Sequence, residues 1–399
     1  MAFEMDKLLD FMVDKKASDL IITVGSPPTV RMHGTLKPIS NKPLTPEETH
    51  ELVKAIVPER NKEEFETLGS TDFSLRYSTK ATFRGAAFRQ QGHMALVMRL
   101  IPNELIPFEV MNLPKALLEQ AMRPRGLFLV TGPTGSGKSS TIATLINHVN
   151  ENSQKHILTV EDPIEYYHTS ANCVVNQRAI GEDAPSFGEA LKRALRQDPD
   201  LILVGEMRDL ETIQTALRAA ETGHLVLSTL HTRSAAETIS RIVDAFPAAQ
   251  QEMVRTQLAS SLNVVVCQTL VKKVDGGRTL ASEIMVVNHG MRQMIRDNRI
   301  HQIPSALETS AGEGNRLLDN HLCDLYLRGE IKWADAMDRA IDVGSIKARL
   351  TEVRNSLPYW LTQIDQKRIS PEEAMKSCPD PKGLRAALQD RAKKAQEQK

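Results

Sequence analysis

A glycine-rich segment with one lysine and two serines follows a run of apolar residues near the middle of the chain. Residues 132–139 fit the P-loop pattern, in which four residues separate a glycine from a Gly-Lys-Ser triplet. The glycines let backbone N–H groups face phosphate oxygens, and the following helix adds its positive end. Lys138 can reach the β and γ phosphates, and the Ser139 hydroxyl can ligate Mg²⁺. The predicted phosphate-binding residues are Gly132, Pro133, Thr134, Gly135, Ser136, Gly137, Lys138, Ser139 and Ser140.

Acidic residues stand at the ends of two further apolar segments. The predicted strand Leu201–Gly205 is followed by Glu206, the Walker-B form, whose carboxylate is expected to hold Mg²⁺ or its water. Residues 159–165 contain Glu161 and Glu165, and a carboxylate there can orient or deprotonate an attacking water. A solvated acidic turn is the alternative for this second segment.

Two histidines flank the apolar segment Leu225–Thr229, His224 before it and His231 shortly after it. A single histidine in such a position is more often structural. Two at the ends of one strand in this context can sense the γ-phosphate or stabilise its charge. Both are therefore candidate catalytic residues.

These segments belong to a pattern of strands and helices that alternate from about residue 112 onward. Such alternation predicts an α/β domain with a mostly parallel sheet covered on both faces. A ligand then lies beyond the carboxyl ends of the strands, where the P-loop stands. After about residue 286 the chain is predicted to be mostly helical. The predicted strands are 127–131, 157–161, 201–205 and 225–229, and the predicted helices include 186–196 and 210–221.

The first 102 residues have the pattern of a separate small α/β domain. A helix over 6–15, a strand over 18–24 and a hairpin turn at 31–34 come first. Thr45 followed by proline and two acids predicts a helix start. Three alternating segments, 72–77, 81–90 and 94–100, then predict strands of an antiparallel sheet. Residues 103–111, which include a proline, are predicted to be the linker to the domain at 112–342.

The last part of the chain contains a faint repeat. Residues Ile331, Ala336, Met337, Asp342, Ile346, Ala348 and Leu350 recur 38 positions later as Ile369, Ala374, Met375, Asp380, Leu384, Ala386 and Leu388. Two copies of a helical unit, 305–342 and 343–399, fit this spacing. Coincidence among common helix residues is the alternative.

Composition narrows the class of protein. The chain of 399 residues carries 50 acidic and 50 basic side chains, so no overall field favours nucleic acid or a membrane surface. No apolar run approaches a membrane span, and the first residues do not resemble a signal segment, so we expect a cytoplasmic protein without direct membrane insertion. None of the four cysteines forms a C-x-x-C pair, so neither a disulfide framework nor a zinc clamp is indicated.

Taken together, the motifs resemble those of the hexameric secretion-type ATPases, most closely the PilT family of type IV pilus retraction ATPases. The resemblance covers roughly residues 4 to 340. The motifs that carry it are 132–139, Glu161–Glu165, 204–209, Glu221–His224, 229–232, 18–20, 83–84 and Gly290–Asp297.

The resemblance implies a PAS-like N-terminal α+β domain followed by a RecA-like ATPase domain. It implies ATP and Mg²⁺ as ligands, Glu165 as the general base, and Glu206 as the Walker-B acid. It also implies that arginines of the N-terminal domain, which match Arg84 and Arg99, act at the nucleotide, where a guanidinium stabilises transition-state charge. A homo-hexamer at the inner face of the cytoplasmic membrane, working on the pilus platform protein, is the implied assembly.

Two departures from the family pattern are visible. The family usually has Arg-Phe-Arg where this chain has Thr82, Phe83 and Arg84. The family segment linked to retraction, Ala-Ile-Arg-Asn-Leu-Ile-Arg-Glu, is here Gly290–Asp297, which keeps both arginines. The unit after about residue 343 lies beyond the usual family end.

Three other functions stay open at this point. A pilus extension or type II secretion ATPase usually carries a four-cysteine zinc module, which the unpaired cysteines disfavour. An accessory retraction paralogue would work only beside a main motor. A nucleotide-bound structural ring subunit belongs to a different class, and intact Lys138, Glu165 and Glu206 argue against it.

Overall fold

The computed structural model describes residues 3–32, 34–78, 81–102, 105–365 and 369–397. His33 in the predicted hairpin turn and residues 103–104 of the predicted linker lie outside this part. The chain divides into two compact units. The first comprises Met1–Val110, Leu118–Phe128 and Ser139–Thr229, and the second comprises Met111–Leu117, Leu129–Lys138 and Leu230–Lys399. The domain boundaries expected from the sequence stay predictions.

The N-terminal residues form a six-stranded antiparallel sheet in the order β3-β2-β1-β6-β5-β4. The antiparallel arrangement predicted from alternation is confirmed. Its strands are β1 (Asp19–Ile22), β2 (Thr29–Met32), β3 (Thr35–Pro38), β4 (Ser70–Ser78), β5 (Ala81–Gln90) and β6 (His93–Pro102). Its helices are α1 (Met5–Lys15), α2 (Pro46–Ile56) and α3 (Glu59–Leu68).

The core of this sheet forms on one face because apolar residues alternate along the strands. Leu20, Phe83 and Met98 are fully buried there. Helix α2 begins where the sequence predicts, since Thr45 accepts a hydrogen bond from the Glu48 N–H and the Glu48 carboxylate accepts one from Thr45. Because the apolar face of the sheet is buried in this core, the side chains on the opposite face are available for interactions outside it.

The central part contains a seven-stranded sheet in the order β13-β12-β7-β11-β10-β8-β9. Strands β9, β8, β10 and β11 are parallel, and β12 and β13 are antiparallel to each other. The strands are β7 (Gly126–Thr131), β8 (His156–Glu161), β9 (Val174–Ala179), β10 (Leu201–Val204), β11 (Leu225–Leu230), β12 (Leu262–Lys272) and β13 (Arg278–Val286). The helices are α4 (Ala116–Ala121), α5 (Lys138–Asn152), α6 (Phe187–Ala194), α7 (Leu210–Glu221), α8 (Ala235–Asp244) and α9 (Ala248–Ser261).

The four predicted strands of this sheet are confirmed within one residue, and α7 has the predicted bounds. Strands β9, β12 and β13 were not predicted. Strand β9 pairs parallel with β8, whereas β12 and β13 form a long antiparallel hairpin with no helix between them and make the sheet mixed.

The remainder of the chain is helical, as predicted. Its helices are α10 (His289–Arg296), α11 (Ile303–Thr309), α12 (Leu318–Leu327), α13 (Trp333–Arg339), α14 (Val343–Arg354), α15 (Leu357–Asp365), α16 (Pro371–Ser377) and α17 (Pro381–Glu397). The starts of α13 and α14 recur 38 positions later as the starts of α16 and α17. Two apolar clusters form at matching positions, one around Ile346 and Leu350 and one around Leu384 and Leu388.

A buried carboxylate fixes the start of α14. Both carboxylate oxygens of Asp319 in α12 accept backbone N–H groups, from Ile341 and Asp342, each at 2.8 Å. Asp342 in turn accepts the Gly344 N–H. These bonds satisfy donors that a helix start otherwise leaves open.

All four cysteines, Cys173, Cys267, Cys323 and Cys378, are buried free thiols. Across the described ranges, no helix is both long and apolar enough to span a membrane.

Candidate nucleotide site

The P-loop joins the fully buried strand β7 to helix α5, which begins at Lys138 as predicted. Gly132, Gly135 and Gly137 all have positive φ values, +142°, +78° and +89°. A Cβ atom on Gly132 would lie 2.2 Å from the backbone oxygen of Gln268, so only glycine fits there. The loop therefore has the backbone form that phosphate binding requires.

The conformation of the loop is stabilised by hydrogen bonds from its own lysine and from strand β12. The Lys138 ammonium donates to the carbonyl oxygens of Gly132 at 2.7 Å and Pro133 at 3.2 Å. The Gln268 side-chain amide donates to the Ser136 carbonyl at 2.9 Å. Gln268 was not among the predicted residues, because nothing in its own neighbourhood marks it.

One buried polar atom of the loop suits a phosphate ligand. The hydroxyl of Ser136 is buried and has no hydrogen-bond partner among the described residues. A phosphate oxygen would accept from it. Ser139 and Glu206 provide hydroxyl and carboxylate oxygens, the donors that Mg²⁺ prefers.

Glu206 follows strand β10, as predicted, and is largely shielded from solvent. Its carboxylate pairs with the guanidinium of Arg208 at 2.8 Å, and that guanidinium is exposed. Asp209, the residue after Arg208, caps α7 by accepting the Thr212 N–H at 2.8 Å. Arg208 was not predicted as a site residue, although it stands in one of the quoted motifs.

Glu161 and Glu165 follow strand β8 and have different surroundings. The Glu161 carboxylate accepts hydrogen bonds from Thr159 at 2.6 Å and Gln177 at 3.1 Å. Burial raises the pKa of Glu161 to about 7, with a smaller contribution from the negative charge of Glu165. Glu161 therefore carries a proton over much of the range in which a catalytic base has to be ionised.

The segment that carries Glu165 is anchored next to the start of α5. The hydroxyls of Tyr166 and Ser140 lie 2.7 Å apart. The Gln177 amide donates to the Tyr166 carbonyl at 2.9 Å, so the unpredicted strand β9 holds the same segment from its other side. The structure thus brings the predicted base segment and predicted P-loop residue Ser140 together.

The two histidines are placed differently. The Nδ1 atom of His224 lies 3.1 Å from the Ala219 carbonyl near the end of α7. Because a carbonyl only accepts, Nδ1 carries the hydrogen and Nε2 is the acceptor of the neutral ring. His231 is exposed just after β11.

Arg84 and Arg99 are direct cross-strand partners on β5 and β6, and both are exposed. The row continues across the sheet to Asp19 and Arg31. Asp19 pairs with Arg99 at 2.8 Å and with Arg31 at 3.4 Å. Three arginines against one carboxylate make this row a net positive stripe, and Arg31 is a member that sequence reasoning missed.

The position at which the family usually has its first arginine is a buried threonine, Thr82. Its cross-strand partner is Arg76, whose guanidinium lies 4.8 Å from the ring centre of Tyr167. A second contact nearby is the ion pair of Arg60 with Glu182. The N-terminal sheet therefore touches the segment next to Glu165 at Tyr167.

Comparison with known proteins agrees with this geometry. A family model described as type II/IV secretion system protein matches residues 44–276. The type IV pilus retraction ATPase PilT of Pseudomonas aeruginosa is 45% identical over 84% of this chain and 98% of its own length. The type IV pilus ATPase PilU of the same organism is 37% identical over 86% of this chain and 90% of its own length.

A solved structure agrees as well. The crystal structure of the pilus retraction motor PilT with bound ADP superposes with a TM-score of 0.82 at 43% identity, and the match covers 87% of this chain and 99% of that one. The chain therefore belongs to the type II/IV secretion system protein family and, within it, is a PilT-like pilus retraction ATPase.

Proposed function

We propose that this chain hydrolyses ATP with Mg²⁺ in a homo-hexameric ring at the cytoplasmic face of the inner membrane. Its domain movements would drive pilus disassembly through the pilus platform protein. The anchoring of the Glu165 segment to Ser140 carries the proposal, because it fixes a carboxylate beside the helix that follows the P-loop. We do not expect the chain to bind nucleic acid.

In this mechanism Lys138 and the loop N–H groups bind the phosphates. Bound Mg²⁺, held by Ser139 and Glu206, would neutralise charge on the phosphate oxygens. Glu165 accepts the proton of the attacking water. Glu161 is a poorer base because it still holds a proton near neutral pH.

Arg84 and Arg99 supply the positive charge that couples nucleotide state to the N-terminal domain. Their exposure supports this assignment, since an arginine already buried in its own sheet could not reach a nucleotide. Asp19 pairs with Arg99, and within the described residues Arg84 has no such ion pair. His231 and His224 are proposed to respond to the γ-phosphate.

An accessory retraction ATPase is the second candidate, because PilU is also similar over most of both chains. One experiment separates the two. The purified chain is assayed for steady-state ATP hydrolysis with and without Mg²⁺, and Lys138→Ala is the control. A main motor turns over ATP alone and restores pilus retraction in cells that lack their own retraction ATPases. Turnover by Lys138→Ala at the unsubstituted rate would refute the P-loop assignment.

A further inference from the structure

A partly open cavity of about 430 Å³ lies among the helices that follow β13. Arginines line it from three places: Arg316 before α12, Arg328 at the end of α12 and Arg349 in α14. The imidazole ring of His321 in α12 also lines it. The cavity contains none of the residues proposed above for ATP hydrolysis.

The hydrogen-bond partners of the Arg316 guanidinium are neutral groups. It donates to the Asn112 carbonyl at 2.9 Å and the Ser282 hydroxyl at 2.5 Å. Within the described part of the chain it forms no ion pair. Burial, together with the nearby charge of Arg328, lowers the pKa of Arg316 to about 10, and the carboxylate of Asp324 opposes this only in part. Buried charges in proteins are normally paired directly, so Arg316 has room for an anion at hydrogen-bond distance.

Three unpartnered nitrogen atoms belong to residues of this wall. They are Nε of Arg316, Nε of Arg349 and Nε2 of His321. The Nδ1 atom of His321 accepts the Ser282 N–H at 3.0 Å, so Nε2 carries the hydrogen of the neutral ring. Burial lowers the pKa of His321 to about 3, which keeps the ring neutral. All three nitrogens are therefore donors without an acceptor.

We propose that this cavity binds a small molecule through a phosphate group. A phosphate monoester presents three acceptor oxygens and nearly two negative charges, which matches three unpartnered donors and the guanidinium of Arg316, which has no direct ion pair. A carboxylate has only two oxygens and one charge. Asp324 and Glu308 also line the cavity, and Asp324 pairs with Arg349 at 3.5 Å. These two carboxylates suit hydroxyl groups on the rest of the ligand.

The site gives the C-terminal extension a function. Arg349 belongs to α14, which lies in the predicted extension, and Asp319 fixes where that helix starts. The PilT match covers 84% of this chain, so part of the chain has no counterpart in that relative. A ligand here would act at a place separate from ATP hydrolysis.

The test uses the full chain carrying Lys138→Ala, which removes the phosphate contact of the P-loop. Titration calorimetry is run with glucose 6-phosphate, inorganic phosphate and malonate. Glucose 6-phosphate should bind, and Arg316→Gln and Arg349→Gln should each weaken it about tenfold or more, the scale of a lost charge-assisted hydrogen bond. Arg339→Gln, an exposed arginine in α13, is the matched control and should bind normally.

Arg349 is partly exposed, so its variant remains informative if Arg316→Gln fails to fold. Binding of inorganic phosphate alone would support the site and narrow its ligand to the free ion. Equal affinity in all three arginine variants, preference for malonate, or no binding of either phosphate would overturn the proposal.

Discussion

At the scale of single residues, the two carboxylates after β8 separate by their surroundings. Glu161 accepts two hydrogen bonds and its pKa is raised to about 7, whereas Glu165 stands beside the anchored Tyr166. Glu165→Gln should bind MgATP and lose roughly 10²-fold in rate, the scale of lost general-base help. Glu161→Gln keeps the accepting oxygen and should retain most of the rate. Single-turnover hydrolysis measures both, and an equal loss in both variants would contradict the assignment.

A buried carboxylate away from the nucleotide site predicts a pH effect on stability. Glu283 accepts the Ala235 N–H at 2.7 Å, and burial raises its pKa from 4.5 to about 7. The folded chain then holds one more proton than the unfolded chain between these values, so stability falls as pH rises from about 4.5 to 7. The full effect is at most roughly 3 kcal/mol.

Glu283→Gln should flatten that decline, because glutamine cannot titrate and still offers a carbonyl oxygen to Ala235. The measurement is the urea midpoint at pH 5 and pH 7.5 for both proteins. Titration of Glu161 changes the stability of both proteins by the same amount, so it cancels when the two are compared. Midpoints that shift in parallel would show that Glu283 does not titrate in this window.

The sequence identifies residues whose chemistry depends on their own local motif. Lys138, Glu206 and the P-loop glycines belong to this kind. Gln268 and Arg31 do not, because their roles come from strand neighbours that are distant along the chain. The raised pKa of Glu161 could not be predicted from the sequence either, because it depends on burial in the fold.

At the scale of elements, the P-loop packs against strand β12 so closely at Gly132 that no side chain fits between them. Gly132→Ala would push a Cβ atom against the Gln268 backbone oxygen, so β12 or the loop has to move. We expect nucleotide binding to weaken by about 10²-fold or more, the scale on which small misplacements act at such sites. A fluorescent ADP analogue measures it.

Gly135→Ala is the matched control for that substitution. Gly135 also has positive φ, but a Cβ atom there meets nothing within 4 Å. It therefore carries the backbone strain of about 1 kcal/mol without the collision. Equal losses in both variants would show that strain alone explains the effect.

There is a physical reason why strands β12 and β9 could not be predicted from the sequence. Strand β12 starts at Leu262, directly after α9 ends at Ser261, so no glycine or proline marks the change. Its short apolar run, Val264–Cys267, fits a buried helix as well as a strand. Strand β9 is the edge strand of its sheet, and half of its residues are polar, so no apolar run marks it.

At the scale of the whole molecule, the positive stripe predicts a coupling between nucleotide and domain position. Arg84→Ala should lower the ATPase rate and reduce ATP-induced compaction in solution scattering, because Arg84 is exposed and lacks the Asp19 partner of Arg99. Arg99→Ala should act in the same direction. Arg89→Ala is the control, since Arg89 lies on the same strand with its guanidinium over the Phe65 ring. Unchanged compaction in Arg84→Ala and Arg99→Ala would show that both are ordinary surface arginines without a role at the nucleotide.

The last three helices form an apolar cluster of their own, which includes Ala374 and Leu384. Deleting residues 356–399 should therefore leave the ATPase rate per subunit within about twofold, while exposing apolar surface and lowering solubility. Arg349 stays in the shortened chain, so the phosphate cavity is kept. ATPase assays and light scattering test this. Loss of turnover in an intact ring would show that these helices act on catalysis.

The buried state of the four cysteines has a practical consequence for watching this motor work. Burial raises the pKa values of Cys267 and Cys323, so these thiols resist maleimide dyes. Exposed positions such as Glu63 and Gln250 could then each carry a single introduced cysteine. Fluorophores placed there would report any movement that nucleotide causes in single molecules, with every native cysteine left in place.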